Sequence, residues 1–399
     1  MSAIENAKKM SKEEVAEKIA ALDLKEYGLC AGSLKDLLEA AKTEAEEEGK
    51  DLGVVAALNN ADTDGVLLEV LRADTEKVLE GIAVAAYALG TEKMTIQIPE
   101  FASELAEVVK NQAEAMKINV EFGLVNKRSN KGSALMHIIT AANLADAFED
   151  AYETGEYVSV NGEAVKKVSI DAKISELVDL ADAKAVLAGY QYYLPEVIGA
   201  MTVEEAKIEN GVLRVLGKND CIVSETQKKL LASRRQSCGK CVFCREGLLQ
   251  LEAMQKDIAD GKGKEEYLEF TREIGESMGF STPCTMGQNS ARVALSAVNL
   301  FEPEYTAHIK KKECPAGVCF SAETIYIDPK ACTGCGDCMD VCPKDCIEGK
   351  VKFIHMIDDF DCDRCGKCIE ECSEEAIIRT SGKLPKLPNK LTKVGRFKR

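Results

Sequence analysis

Cys332, Cys335, Cys338 and Cys342 stand at C-x2-C-x2-C-x3-C spacing, and Cys362, Cys365, Cys368 and Cys372 repeat it. Pro343 follows the first run, and Ser373 holds the corresponding place in the second. Three thiolates this close wrap a tight loop around one face of an iron–sulfur cubane, and a fourth must reach it from elsewhere. A third triplet, Cys238, Cys241 and Cys244, lies in SCGKCVFCREG at the start of an expected helix. Backbone N–H groups and the helix dipole there favour thiolates and an anionic cluster. Its fourth ligand is expected at Cys284, within TPCTMG, the only cysteine in the helical stretch after the triplet. Lys240 and Arg245 can offset cluster charge. The alternatives are a zinc ribbon, which usually shows two C-x2-C pairs, and a disulfide scaffold, which suits a small secreted chain. Cys346 lies outside the pattern and reads as a packing residue.

The paired C-terminal runs follow the bacterial two-cluster ferredoxin pattern, in which the fourth cysteine of each run serves the other cluster. Cys332, Cys335, Cys338 and Cys372 are then expected to hold one [4Fe–4S] cluster. Cys362, Cys365, Cys368 and Cys342 are expected to hold the second. His308, Cys314 and Cys319 form H-x5-C-x4-C, three ligands typical of zinc. Cys221 or Cys30 could supply a fourth, and the sequence does not choose between them. The alternative is two reduced cysteines and a surface histidine. His137 and His355 stand isolated and read as packing or surface residues.

The elements that position these groups belong to a chain of 399 residues with 17 cysteines and a net charge of -16. That length suits two or more domains with their own cores. No signal-like apolar segment and no run of 18 apolar residues is present. A cytoplasmic protein without a membrane span is expected, in a compartment that keeps thiols reduced. The acidic balance argues against nucleic-acid binding, and tryptophan is absent. Residues 44–51 are acidic and read as a solvated helix end or loop. From Ser381 the tail carries Lys383, Lys386, Lys390, Lys393, Arg396, Lys398 and Arg399 and no acid, with Pro385 and Pro388 keeping it extended. It reads equally as a solubilising tail or a docking arm.

Residues 1–155 alternate helical and strand-like pieces, which suggests an α/β sheet. Helices are expected over 12–22, 74–89, 101–117 and 135–152. Met94–Ile98 and Asn119–Val125 read as strands, and Leu52–Leu58 is an apolar stretch. Residues 156–224 turn β-rich, with strands near 157–160, 165–170 and 211–216 and a short helix near 173–180. Residues 225–312 are helical. A linker at 313–324 leads to the ferredoxin-like module at 325–380 and the basic tail at 381–399.

SCGKCVFCREG (237–247), followed by TPCTMGQ (282–288), resembles the NADH-binding flavoprotein subunit of respiratory complex I. It equally resembles the β subunits of NAD-dependent and electron-bifurcating hydrogenases and formate dehydrogenases. KVLEGIAVAAYALGTEKMTIQIP (77–99) looks like that family's flavin-domain helix–strand pair, and VLGKNDCIVSETQ (215–227) like the segment entering its cluster domain. The resemblance implies an α/β and α+β multidomain protein: a flavin-type α/β domain, a ubiquitin-like β-grasp domain, a helical [4Fe–4S] domain and a 2×[4Fe–4S] ferredoxin-like domain. The hydrogenase β subunits also carry a stretch similar to CPAGVC (314–319), which suggests a structural pin.

The family's glycine-rich loop for FMN and NADH is missing. In its place, LDLKEYGLCAGSLKDL (22–37) keeps only Gly28 and Gly32. VNKRSNKGSAL (125–135) replaces a second flavin-proximal segment, and LNNADTDGV (58–66) replaces an acidic stretch. The flavin-type domain therefore reads as degenerate, with FMN and NAD lost. The resemblance implies an electron-transfer subunit with three [4Fe–4S] clusters, serving a flavoprotein, a ferredoxin or a catalytic subunit. Its rivals are a complete FMN-containing NADH dehydrogenase subunit and a non-redox assembly subunit.

Overall fold

The computed structural model describes residues 2–319, 324–359, 361–362, 364–380 and 384–397. The chain forms two compact units. One comprises Met1–Gln255 with Glu266–Glu302, the other Lys256–Glu265 with Pro303–Arg399.

The first unit begins with a parallel four-stranded sheet, in the order Asn119–Phe122, Met94–Ile98, Gly53–Ala57, Ser133–His137. Gly53–Ala57 is buried along its whole length, as a central parallel strand covered on both faces must be. The helix Thr75–Leu89 starts where the Asp74 carboxylate accepts the Lys77 N–H and stops at Gly90 in the left-handed region. It packs on Ile138–Phe148, a helix buried at every residue. Gly81 permits the approach: a Cβ there would lie 1.8 Å from the Ala141 carbonyl oxygen.

The helix expected over 135–152 is shorter. Leu135–His137 instead pair with Val55–Ala57 as strand, and the helix runs Ile138–Phe148. An apolar run of this length suits either element, and a place beside the central strand decides it. The strand expected to reach Val125 ends at Phe122. A 3-10 turn, Glu100–Leu105, precedes Ala106–Ala115 where one continuous helix was expected. The acidic stretch contains the end of the helix Leu34–Glu48, which Gly49 terminates.

A five-stranded mixed sheet follows, in the order Gln191–Tyr193, Ala185–Ala188, Val212–Leu216, Glu156–Val160, Lys166–Val168. Only Val212–Leu216 and Glu156–Val160 run parallel. Val158, Val186, Ile198 and Leu213 centre its core. The helices Ile222–Gln236, Val242–Ala259, Glu266–Ser281, Thr285–Ser290 and Arg292–Leu300 then carry the first cysteine triplet and Cys284.

In the second unit, Thr324–Ile327 pairs antiparallel with Ile377–Thr380, and Ile347–Glu348 with Met356–Ile357. Each residue of one half has a counterpart 30 positions on, as Cys332 has Cys362. The backbone obeys this repeat. The Cys332 and Cys362 N–H groups donate to the Asp328 and Asp358 carbonyls, both at 3.0 Å. Asp328 N–H donates to the Ala376 carbonyl at 2.7 Å, and Asp358 N–H to that of Cys346 at 2.8 Å. The halves are therefore exchanged by an internal pseudo-twofold. Part of the basic tail lies on this unit: Ile354 N–H donates to the Thr392 carbonyl and Val394 N–H to that of Lys352. Phe397 packs against the core, whereas Lys383, Lys398 and Arg399 fall outside the described residues. Among those residues, no helix is long and apolar enough to cross a membrane.

Candidate iron–sulfur centres

In the first unit the loop after Ile222–Gln236 turns at Gly239, whose φ of +70° a side chain rarely adopts. It delivers Cys238, Cys241 and Cys244 to the start of Val242–Ala259. Cys284 stands at the N-cap of Thr285–Ser290. All four line one cavity of about 220 Å³, with Lys240, Lys127, Arg128 and Lys131 also on its walls. Arg245 does not join them: its guanidinium braces the Gly239 carbonyl at 3.1 Å and pairs with Glu246. Burial pushes the Cys244 thiol up to about 11, and Ser237 opposes this with a hydrogen bond at 3.4 Å. The neighbouring Cys284, Cys238 and Cys241 raise it further. Burial likewise raises the Cys284 thiol, and a metal bound among these cysteines would require thiolates and release their protons.

The loop Tyr27–Ala31 lies against this centre. Lys25 and Glu26 pair with Ser33 and Gly32 and close it at its base. Thr285, next to Cys284, donates its hydroxyl to the Gly28 carbonyl at 2.5 Å and its N–H to that of Leu29 at 3.2 Å. Asn59 donates to the Thr285 hydroxyl at 2.8 Å. The Gly28 N–H is taken by Glu26, which also accepts the His137 N–H, at 2.6 and 2.7 Å. Burial pushes the Glu26 carboxyl up to about 7, against the pull of His137 and these N–H groups.

His137, expected to be isolated, is wholly buried. Its Nδ1 accepts the Ile139 N–H, which leaves the proton on Nε2, 2.8 Å from Asp62. Tyr190 donates to the other Asp62 oxygen at 2.5 Å. This network escaped sequence reading because its members lie on five separate segments. Cys30 sits in the same loop, its thiol raised by burial with Lys127 beside it. Cys221 is buried at the N-cap of Ile222–Gln236.

In the second unit, Cys332, Cys335, Cys338 and Cys372 line one cavity. Cys342, Cys362, Cys365 and Cys368 line another. The triplets sit on tight turns through Gly336 and Gly366, both at positive φ. Burial pushes Cys338 up to about 12 and Cys368 up to about 11, and the neighbouring cysteines add to it. Cys342 differs: burial opposes its ionisation, yet the N–H groups of Cys346, Lys344 and Asp345 hold it below the usual thiol range. Cys346, expected only to pack, lines the second cavity with its Sγ 3.5 Å from that of Cys342. His355 is likewise buried beside the first cavity, its Nδ1 3.9 Å from Cys332 Sγ.

His308, Cys314 and Cys319 of this unit bring their donor atoms within 4.8 Å of one another. His308 stands in the π-helical turn Ala307–Lys311, a distortion frequent at functional sites. Its Nδ1 meets the Glu304 carbonyl at 2.9 Å, a contact that fixes the orientation of the ring.

Residues 227–308 match the NADH-ubiquinone oxidoreductase-F iron-sulfur binding region, and residues 324–373 match the 4Fe-4S dicluster domain. Two regions that bind iron–sulfur clusters are therefore present. The chain is 38% identical over 146 residues to the NADP-reducing hydrogenase subunit HndC of Solidesulfovibrio fructosivorans, across 37% of this chain and 30% of that one. It is 27% identical over 112 residues to the mitochondrial NADH-ubiquinone oxidoreductase 51 kDa subunit of Neurospora crassa, across 28% and 23%. The chain thus spans less than a third of the length of either relative. Its fold resembles that in the crystal structure of an NAD+-reducing [NiFe]-hydrogenase in the H2-reduced state, at TM-score 0.61 and 14% identity, over 77% of this chain and 64% of that one.

Proposed function

We propose that this chain is an iron–sulfur electron-transfer subunit of a multisubunit, cytoplasmic oxidoreductase. It relays electrons through three [4Fe–4S] clusters between a flavoprotein, a ferredoxin or an NADH-oxidising partner and a catalytic subunit. One observation carries the reading: twelve cysteines fall into three sets of four, and each set lines its own cavity. Cys238, Cys241, Cys244 and Cys284 hold the first cluster. Cys332, Cys335, Cys338 and Cys372 hold the second, and Cys362, Cys365, Cys368 and Cys342 the third. Bound there, the clusters supply one-electron chemistry. The polypeptide buries them, sets their potentials through amide hydrogen bonds and charge, and fixes their spacing.

We read residues 1–155 as a flavin-type scaffold that has lost FMN and NAD, and 156–224 as a β-grasp domain. Phosphate needs free N–H donors and glycines that let the backbone come close. The commitment of the Gly28 N–H to Glu26, and of the Gly28 and Leu29 carbonyls to Thr285, supports the loss. His308, Cys314 and Cys319 fit a structural zinc, and the orientation of His308 by Glu304 supports it.

The test is iron, zinc and flavin content of protein purified without oxygen. About 12 Fe per chain without flavin is expected. Stoichiometric FMN would overturn the relay reading in favour of an NADH dehydrogenase subunit. An iron-free, folded chain would leave an assembly role.

A further inference from the structure

The pseudo-twofold of the second unit makes its two cluster cavities near copies, so the places where they differ are informative. Ile327, Cys332, Cys335, Cys338, Cys372 and Ile377 line one, and their counterparts Ile357, Cys362, Cys365, Cys368, Cys342 and Ile347 line the other. Against that match, Asp337 of the first cavity corresponds to Lys367 of the second. Glu374, on the wall of the first, corresponds to Lys344, which neighbours Cys342 in sequence. Ala376 corresponds to Cys346, whose Sγ lies 3.5 Å from Cys342 Sγ. His355 corresponds to Ile325.

We propose that these substitutions split the potentials of the two clusters, and that the cluster of Cys362, Cys365, Cys368 and Cys342 is the higher, the resting place of an electron on this unit. The proposal rests on the assignment of two clusters to these cavities.

The physics runs one way for three of the four differences. Reduction adds one negative charge to a cluster, so a nearby cation or a hydrogen bond to a ligating sulfur favours the reduced form and a carboxylate opposes it. Lys367 and the Cys346 thiol raise the second cavity's cluster, while Asp337 and Glu374 lower the first's. Arg364, beside Cys362, is largely offset by its ion pair with Asp359 at 3.5 Å. Among the described residues two groups oppose this: Asp361, exposed beside Cys362 where the first half has Ala331, and His355, whose 3.9 Å separation from Cys332 is longer than the Cys346 contact. The charged groups are exposed, so their share weakens in high salt, whereas the Cys346 contact is buried and does not. The transfer balances simply: one electron leaves the cluster over Asp337 and enters the one over Lys367, with no bond made and no proton moved.

The experiment is a potentiometric titration of the full chain, reconstituted without oxygen and followed by electron paramagnetic resonance. Iron content is measured first, so that absent clusters overturn the assignment rather than the ordering. Wild-type protein should show two components that respond to substitutions in this unit. At the midpoint of the lower, the upper should be at least tenfold more reduced than oxidised, a separation of at least about 59 mV. Cys346→Ala should lower only the upper component with iron unchanged. Asp337→Lys should raise only the lower, and adding Lys367→Asp should close the gap. Coincident midpoints in the wild type, or a Cys346→Ala shift in the lower component, would overturn the ordering. Loss of about a third of the iron in Cys346→Ala would make Cys346 a ligand and overturn its part as a hydrogen-bond donor.

Discussion

The network around the loop Tyr27–Ala31 and the cysteine cavities both hold buried ionisable side chains, yet they stand in opposite conditions. Around the loop, donors meet acceptors inside the protein. Glu26 takes two N–H groups, Asp62 takes His137 and Tyr190, and Thr285 links Asn59 to Gly28. In the cavities, thiols lie against thiols, and burial with mutual repulsion holds Cys244, Cys338 and Cys368 protonated. The first region meets its polar groups from within, save Glu26 Oε2, which is buried without a hydrogen-bond partner among the described residues. In the second, a bound metal would have to displace those protons.

Substitution of a thiol should break the contrast most strongly. Cys241→Ala should remove one cluster, about a third of the iron, while the clusters of the second unit keep their resonance signals. Loss of all three signals would show that the centres do not load independently. Gly81→Ala attacks the closed region instead. Its Cβ meets the Ala141 carbonyl, so a loss of roughly 3 kcal/mol or more is expected in denaturant unfolding. A change within 0.5 kcal/mol would mean that the two helices can part without cost.

The grouping of the cysteines was legible because three of each set sit within seven residues; the repeat points to the fourth in the second unit, and Cys284 is the one cysteine left in the helical stretch. The α/β sheet was legible in outline, with Met94–Ile98 read as a strand and Leu52–Leu58 as an apolar stretch, whereas their parallel pairing depends on the fold. What escaped reading depends on partners distant in sequence. Ser133–His137 became a strand through its pairing with Gly53–Ala57. His137 acquired its role from Asp62 and Tyr190, and Cys346 from a thiol that the fold turns toward it. Lys240 was placed on its cavity, but Arg245 turned away because the Gly239 carbonyl and Glu246 competed for it.

The closed region also predicts a pH response. Burial holds the proton on Glu26 up to about pH 7, whereas an unfolded chain releases it near 4.5. The folded form therefore binds more protons between those values, and the stabilisation present below 4.5 is lost as pH rises toward 7. Glu26→Gln keeps an oxygen for the Gly28 and His137 N–H groups and cannot ionise. It should flatten the stability profile between pH 5 and 8 and stabilise the protein at pH 8 by up to about 3 kcal/mol. An unchanged profile in denaturant titrations would place the pH response on other groups.

The smallest effect concerns the join between the two regions. Thr285 belongs to both: it follows Cys284 in sequence and holds the Gly28 carbonyl through its hydroxyl. Thr285→Val preserves shape and removes that hydroxyl. Asn59 still reaches the Gly28 carbonyl at 3.3 Å, so about 1–2 kcal/mol is expected rather than unfolding. If the closed network steadies Cys284, iron should leave the first unit's centre several-fold faster in the presence of a chelator, with loss from the second unit unchanged. The second unit serves as the internal control, because Thr285 and its hydrogen-bond partners all belong to the first. Equal rates in wild type and variant would separate the regions, and the polar network would then serve the scaffold alone.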